Sequence, residues 1–139
     1  MATTFGETLR ADRERLRHVT ELAQAAATMG LTHVVVTSVD RDDLPDYGAG
    51  VWCGVIRSIR RLAPGCKVEV LTPDFRGQEM PLARVINERP DVFNHNVETV
   101  PRLYPKARRG SDFTRSARVL RLAKEMGGDS VVTKSGLMV

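Results

Sequence analysis

The chain has 139 residues, of which 42% are hydrophobic and 27% are charged, as in an ordinary soluble globular domain. This length allows one domain with a real core but is short for a closed eight-stranded barrel. The net charge of +4 favours anionic partners only weakly. Since the sequence has neither a signal-peptide core nor a run long enough to span a membrane, we expect a cytoplasmic protein that binds neither membrane nor nucleic acid.

The spacing of apolar residues predicts four helices that alternate with four strands. The predicted helices cover residues 12–29, 50–62, 81–87 and 112–126, and the predicted strands cover residues 34–36, 67–71, 91–99 and 131–139. Asp12 is expected to cap the first helix, and Leu16, Val19 and Ala23 belong to its apolar stripe. Because alternating elements with connections of this length form right-handed crossovers, we predict an α/β fold with a parallel sheet.

An apolar run at residues 34–36 leads directly into a cluster of acidic residues, Asp40–Asp43. Three consecutive valines without alternation indicate a strand that is buried on both faces. Ligands bind at the carboxyl ends of parallel strands, so the acidic cluster is a candidate for chemistry. The alternative is that these residues form a turn and cap the next helix.

The third predicted strand, residues 91–99, is unusually polar. With a period of two, Asn94, Asn96 and Glu98 share one face, while His95 lies on the face that packs against helices. Burying three polar side chains is costly unless a ligand or water satisfies them. We interpret His95 as a core histidine with satisfied hydrogen bonds rather than as a ligand.

The remaining features suggest structural roles. Cys53 and Cys66 do not form a CxxC pair, and we interpret them as buried thiols rather than metal ligands; no metal ligand is predicted. Basic residues that recur at intervals of three in the last helix are expected to form a solvated face, and they are Arg115, Arg118, Arg121 and Lys124. The first helix has no strand before it and the last strand has no helix after it, which is typical of the middle of a larger barrel.

Four stretches of the sequence resemble the lipoyl synthases of the radical S-adenosylmethionine superfamily. They are MGLTHVVVTSVDRDDLPDYGA, EVLTPDFRG, PDVFNHNVETVPRLYPKARRGSDFTRS and TKSGLMV, in this order. The resemblance implies a partial (β/α) barrel over residues 21–139, preceded by a divergent segment with the start of the first helix at residues 1–20. It also implies an enzyme that uses S-adenosylmethionine and two 4Fe–4S clusters to insert sulfur into protein-bound octanoyl groups.

The resemblance has one major departure. Members of the family carry a CxxxCxxC motif and an earlier cysteine set that hold the two clusters, and neither motif occurs in these 139 residues. Two cysteines cannot supply the ligands of even one cluster. We therefore expect the chain alone to be inactive and assign it no catalytic residue.

The resemblance also implies residues that bind the cofactor. Ser38 and Asp40 match the place where the amino end of S-adenosylmethionine is held, and Asn96 and Glu98 match the ribose site. Lys134 would meet the methionine carboxylate, and Gly136 would let the backbone approach the adenine. The structural alternatives are core hydrogen bonds for Asn94 and Asn96, a helix-dipole contact for Glu98 and an ion pair between Lys134 and Glu69.

A basic loop, residues 101–110, suggests how a partner would dock. It is either solvated or a docking site for an acidic, octanoylated lipoyl-carrier domain, and its relevant residues are Arg102, Lys106, Arg108 and Arg109. The alternative function is a non-catalytic remnant that binds partners through the barrel mouth or this loop. An open reading frame upstream of Met1 that encodes CxxxCxxC would favour the enzyme over the remnant.

Overall fold

The computed structural model describes residues 5–138, with side chains from residue 17 onward. Its helices are α1 (Phe5–Thr28), α2 (Ala49–Leu62), α3 (Glu79–Asn87), α4 (Tyr104–Ala107) and α5 (Phe113–Gly127). Its strands are β1 (His33–Thr37), β2 (Lys67–Leu71), β3 (Val92–Asn94) and β4 (Val132–Lys134). The strands form one parallel sheet in the order β1-β2-β3-β4, which confirms the predicted α/β fold and is the strand order of a partial barrel.

The core lies between one face of the sheet and the helices. Val68, Val70 and Phe93 on this helix-covered face are 0% exposed. They pack with the apolar sides of α1, α2, α3 and α5, as expected for amphipathic helices on a parallel sheet. Val19 and Ala23 of the predicted stripe on α1 are buried, whereas Leu16 lies outside the described side chains.

The opposite face, here called the open face, carries the row Val35, Glu69, Val92 and Val132. Val35 is 53% exposed and Val132 is 60% exposed, so the prediction that β1 is buried on both faces was wrong. The physical reason is that the described helices pack against only one face of the sheet. An unbroken run of valines suits a strand, but it does not say how many of its faces are covered.

Several predicted boundaries also need correction. Helix α1 begins at Phe5, so Asp12 lies within it rather than at its cap. Helix α3 begins two residues before the predicted start, at Glu79. The basic loop is not wholly irregular, because it contains a 3-10 turn at Pro101–Leu103 and the short helix α4. Asp112 does cap α5, since its Oδ1 accepts a hydrogen bond from the Arg115 amide at 2.7 Å.

The two strands at the β3–β4 edge are shorter than predicted. Strand β3 has three residues, and the chain then leaves regular strand geometry, with Glu98 in the left-handed region at φ 63°. Strand β4 also has three residues, and Val139 at the predicted end lies outside the described residues. A single bridge between Glu98 and Leu137 continues the pairing. Period-two alternation therefore does not extend through residues 91–99.

Two further findings concern the whole described chain. None of the helices within residues 5–138 is long and apolar enough to cross a membrane. Helix α1 is continuous from Phe5 to Thr28, so the predicted division between residues 1–20 and 21–139 falls inside a helix. That division stays a prediction.

Candidate functional site

A polar cleft of about 390 Å³ lies at the carboxyl ends of the strands. It is the place where the loops after β1, β2 and β3 converge, as parallel topology requires. Four of the six residues predicted to bind a cofactor line it, and they are Ser38, Asp40, Asn96 and Glu98. The fold thus brings together side chains that are 60 residues apart in the sequence.

The other two predicted residues, Lys134 and Gly136, do not line this cleft. The Lys134 Nζ lies 2.9 Å from Glu69 Oε1, which is the ion pair considered as the structural alternative. The Gly136 amide donates to Asn96 Oδ1 at 2.9 Å, and a Cβ at Gly136 would lie 2.7 Å from the same oxygen. Glycine therefore allows a close contact with Asn96, whose side chain would have to shift to accommodate a larger residue.

The acidic cluster after β1 divides into two parts. Asp40 and Asp42 line the cleft, and Asp42 accepts a hydrogen bond from Arg76. Arg41 instead binds Asp43 through two hydrogen bonds of 2.8 and 2.7 Å, and this contact raises the pKa of Arg41. The start of α2 is satisfied by a different carboxylate, Asp46, which accepts from the amides of Gly48 and Gly50. Helix entry is thus separate from the residues that face the cleft.

The loop after β2 contains a left-handed turn. Phe75, Arg76 and Gly77 have φ values of 48°, 53° and 72°, a conformation that is costly for the two residues other than glycine. The Phe75 side chain is 1% exposed and anchors the turn in the core. Asp74 Oδ1 accepts from the Arg76 amide at 2.9 Å, and its Oδ2 accepts from Arg115 Nε at 2.6 Å. Local strain is therefore offset by burial and by charged hydrogen bonds at the edge of the cleft.

His95 is buried at the floor of the cleft, with 3% of its surface exposed. Its Nδ1 lies 2.8 Å from the Thr72 carbonyl oxygen, and its Nε2 lies 3.0 Å from Ser116 Oγ. These contacts fit a neutral ring in which Nδ1 donates and Nε2 accepts. Burial lowers the pKa of His95, which also favours the neutral form. The structure thus agrees with a core histidine whose two nitrogens are both satisfied.

Arg108 joins the basic loop to the cleft. Its Nη1 donates to the Asn96 carbonyl oxygen at 3.1 Å, and its guanidinium lies 5.6 Å from the centre of the Tyr104 ring. The Tyr104 hydroxyl in turn donates to the Val97 carbonyl oxygen at 2.5 Å. The polar segment after β3 is therefore held in place by α4, a helix that forms within the predicted loop.

Sequence reasoning missed three charged residues of the cleft wall, namely Asp74, Arg76 and Arg115. Arg115 was assigned to a solvated face, but its pairing with Asp74 turns it into the cleft. Arg118 was assigned to the same face, and it bonds the Gly77 carbonyl oxygen and Glu79. The available signal was the Thr-Pro-Asp-Phe-Arg-Gly sequence at the end of a core strand, which marks a second loop at the ligand-binding edge.

The sequence that forms this cleft matches a known protein family. The family model described as the radical SAM superfamily matches residues 4–139. The chain belongs to the radical SAM superfamily. Among curated proteins it is similar to lipoyl synthases, at 58% identity over 118 residues for Rubrobacter xylanophilus and 53% over 119 residues for Caldicellulosiruptor saccharolyticus. A third lipoyl synthase, from Pyrobaculum arsenaticum, is 56% identical over 119 residues.

These matches confirm the resemblance seen in the motifs. They cover 85%, 86% and 85% of this radical SAM chain, but only 36%, 41% and 40% of the three relatives in the same order. The chain thus spans about two-fifths of the length of the curated relatives it matches.

The cysteines of this radical SAM chain do not fit an iron–sulfur cluster. Cys53 lies on α2, where its thiol bonds the Arg84 carbonyl oxygen at 3.4 Å, and Cys66 lies just before β2. Both are buried, neither lines the cleft, and burial raises the pKa of the Cys53 thiol. Clusters bind thiolates, so a buried thiol with a raised pKa is a poor ligand. No group of three or more His, Cys, Asp or Glu suited to a metal occurs among the described residues.

Proposed function

We propose that this chain is the part of a lipoyl synthase that holds S-adenosylmethionine, and that the complete protein inserts sulfur into octanoyl groups carried by another protein. The observation that carries the proposal is the 53–58% identity to three lipoyl synthases over most of the chain. It is supported by a polar cleft at the edge of the sheet where α/β proteins bind ligands.

The cleft suits S-adenosylmethionine in size and chemistry. Its volume of about 390 Å³ lies within the range of small-molecule sites. Asp40 offers a carboxylate to the ammonium group, and Ser38 offers a hydroxyl beside it. Asn96 and Glu98 offer an amide and a carboxylate to a ribose diol. These residues would hold S-adenosylmethionine, and the bound molecule would provide the bond that is cleaved in reactions of the superfamily.

The roles of Lys134 and Gly136 differ in this proposal. Lys134 is bound to Glu69, and its ammonium retains further donors with which it would meet a carboxylate. Gly136 acts through Asn96, because its amide fixes the Asn96 side-chain oxygen. The cluster ligands belong to other parts of the complete protein, since the cysteines of these 139 residues do not fit that role.

The partner in this proposal is an acidic carrier domain that bears the octanoyl group. Arg102, Lys106 and Arg109 are exposed on the loop beside the cleft, so they would steer a negatively charged surface towards it. Arg108 is partly buried, with its guanidinium over the ring of the buried Tyr104, and contributes to the loop's shape as well as its charge. A cytoplasmic location belongs to the same proposal, because both cysteines are free thiols, as in a reducing compartment.

The decisive experiment uses the full-length product of the gene that encodes this chain. The protein is reconstituted anaerobically with iron and sulfide and incubated with S-adenosylmethionine and an octanoylated carrier domain. We expect mass spectrometry to show sulfur added to the octanoyl group. Cleavage of S-adenosylmethionine without sulfur transfer would contradict the proposed reaction. Binding of the carrier without binding of S-adenosylmethionine would favour a non-catalytic binding module.

A further inference from the structure

One buried carboxylate on the open face contacts a side chain from every other strand of the sheet. Glu69, in the middle of β2, is 3% exposed. It accepts from His33 of β1 at 3.3 Å, from Asn94 of β3 at 3.0 Å and from Lys134 of β4 at 2.9 Å. The contact with Lys134 spans two strand positions, because β3 lies between β2 and β4.

Strand β4 depends on such a contact more than the other strands do. It has three residues, β3 is its one neighbour among the strands described within residues 5–138, and Val132 and Lys134 are exposed. Beyond Lys134 the chain runs beside the polar segment after β3. The amide of Glu98 donates to the Gly136 carbonyl oxygen at 3.0 Å, and the amide of Met138 donates to the Glu98 carbonyl oxygen at 2.7 Å. Gly136 also fixes the Asn96 side chain.

We propose that Glu69 is a positioning residue, which holds Lys134 and Asn94 so that the β4 segment keeps Asn96 and Glu98 in place at the cleft. The inference rests on the proposed function, since it assigns the purpose of the contact to the S-adenosylmethionine site. A general contribution to stability does not account for the arrangement around Glu69. This carboxylate accepts hydrogen bonds from three strands, and two of these strands lead directly to predicted cofactor residues.

The chemistry of Glu69 suits this role. Burial acts to raise its pKa, but hydrogen bonds from Lys134, Asn94 and His33 and the charge of Lys134 together lower it, so the group is ionised at neutral pH. An ionised carboxylate forms stronger hydrogen bonds than a neutral amide. Asn94 donates through its amide nitrogen to Glu69. Its buried Oδ1 has no hydrogen-bond partner among the described residues, so the contact with Glu69 is the main anchor of this side chain.

The test compares Glu69→Gln with a matched control, Glu88→Gln, by amide hydrogen exchange on the 139-residue chain. Glu88 forms an ion pair with Arg57 on the helix side, away from the open face. The His95 amide donates to the Lys134 carbonyl oxygen at 3.1 Å, so it reports on the β4 segment as the Glu98 and Met138 amides do. In Glu69→Gln we expect exchange of these three amides to accelerate about tenfold or more, the effect of losing one charged hydrogen bond. The amides of α2 should be unaffected, and Glu88→Gln should leave the three reporter amides unchanged.

Calorimetry with S-adenosylmethionine provides the second measurement. Glu69→Gln should weaken binding at least about threefold, because it removes part of the support of the site rather than a direct contact. Unchanged affinity, or exchange that accelerates equally across all elements, would overturn the positioning role. If the unmodified chain does not bind S-adenosylmethionine, the proposed function loses its support, whereas the exchange comparison still decides whether Glu69 controls the β4 segment.

A second variant covers the case in which Glu69→Gln fails to fold. Lys134→Met breaks the same ion pair from its more exposed side and leaves Glu69 with two donors. We expect the same local acceleration at Glu98 and Met138. Exchange at these two amides equal to that of the unmodified chain would contradict the proposal.

Discussion

The two faces of the sheet are built from the same strands but differ in what they hold. On the helix-covered face, Val68, Val70 and Phe93 are completely buried among helices. On the open face, Val35 and Val132 are more than half exposed, while the charged Glu69 between them is buried. The comparison shows that a side chain of this sheet is buried where other groups pack against it, whether the side chain is polar or apolar. It also separates the part that stabilises the domain from the part that supports the cleft.

The largest expected effect tests this difference with the same substitution on each face. Val70→Ala removes two methyl groups from a site that is 0% exposed, so we expect a loss of about 2–3 kcal/mol in the free energy of unfolding from transfer and cavity terms. Val35→Ala, at a site that is 53% exposed, should change it by less than about 0.5 kcal/mol. Urea unfolding followed by circular dichroism measures both, at protein concentrations low enough for light scattering to show a monomer. Equal losses would mean that both faces are buried in solution.

The next prediction concerns the cleft, where the polar residues that follow β3 are gathered. In the full-length protein, Glu98→Gln should weaken S-adenosylmethionine binding by about 1–3 kcal/mol, the range for a hydrogen bond to a charged group. The matched control is Glu125→Gln, which alters an exposed carboxylate on α5 that pairs with Arg121 and does not line the cleft. Calorimetry on both variants decides the point. Unchanged binding by a folded Glu98→Gln would assign Glu98 a structural role.

Some elements were predictable because local chemistry marks their ends. Strand β2 runs over the predicted residues, since Pro64-Gly65 and Thr72-Pro73 bracket it. The sequence predicted a cap for α5 at Ser111 or Asp112, and Asp112 is the residue that caps it, because its carboxylate accepts from a free amide of the first turn. In both cases the deciding interactions lie within a few residues of each other. Short-range signals of this kind are visible in a sequence.

Other features depend on contacts that no local pattern contains. The left-handed φ of Glu98 ends the regular alternation after β3, and nothing in the residue type predicts it. The 3-10 turn at Pro101–Leu103 and helix α4 each contain one proline, Pro101 and Pro105, in the first turn, where proline is tolerated. The position of Lys134 is set by Glu69, 65 residues earlier in the chain. Sequence alone left its ion pair as the structural alternative to its ligand role.

Acid titration is expected to affect the two faces at different pH. The pKa of His95, on the helix side, is lowered by burial, so below about pH 6.5 the unfolded chain binds a proton that the folded chain resists. Stability should therefore fall as the pH decreases, by at most about 1.4 kcal/mol per unit for this one proton. The pKa of Glu69, on the open face, is also lowered. Its contribution to the free energy of unfolding is lost only below about pH 4.3, as the pH falls towards the pKa of Glu69 in the folded state.

Thermal unfolding between pH 7.5 and 5.5 tests His95 separately from Glu69, because the contribution of Glu69 is lost only below this range. His95→Asn retains a neutral donor for the Thr72 carbonyl oxygen but cannot titrate, so its stability should depend less on pH than that of the unmodified chain. The other two histidines, His18 and His33, are present in both proteins. The same pH dependence in both proteins would show that His95 does not resist protonation.

The smallest expected change in stability tests the exposed valines of the open face. Exposed apolar side chains promote association, and Val35, Val132, Leu137 and Met138 are all more than half exposed. We therefore expect the 139-residue chain to self-associate, and the double variant Val35→Thr with Val132→Thr to be more monomeric by light scattering. Its free energy of unfolding should change by less than about 0.5 kcal/mol per site.

The control for this effect is Val39→Thr. Val39 is 77% exposed but lies in the loop after β1 rather than on the open face. If association involves the open face, this variant should associate as strongly as the unmodified chain, because it loses a methyl group from a different surface. A monodisperse unmodified chain, or equal effects of the Val39 and double variants, would contradict the prediction. The open face would then tolerate water, and the buried Glu69 contacts rather than its valines would account for how that face is stabilised.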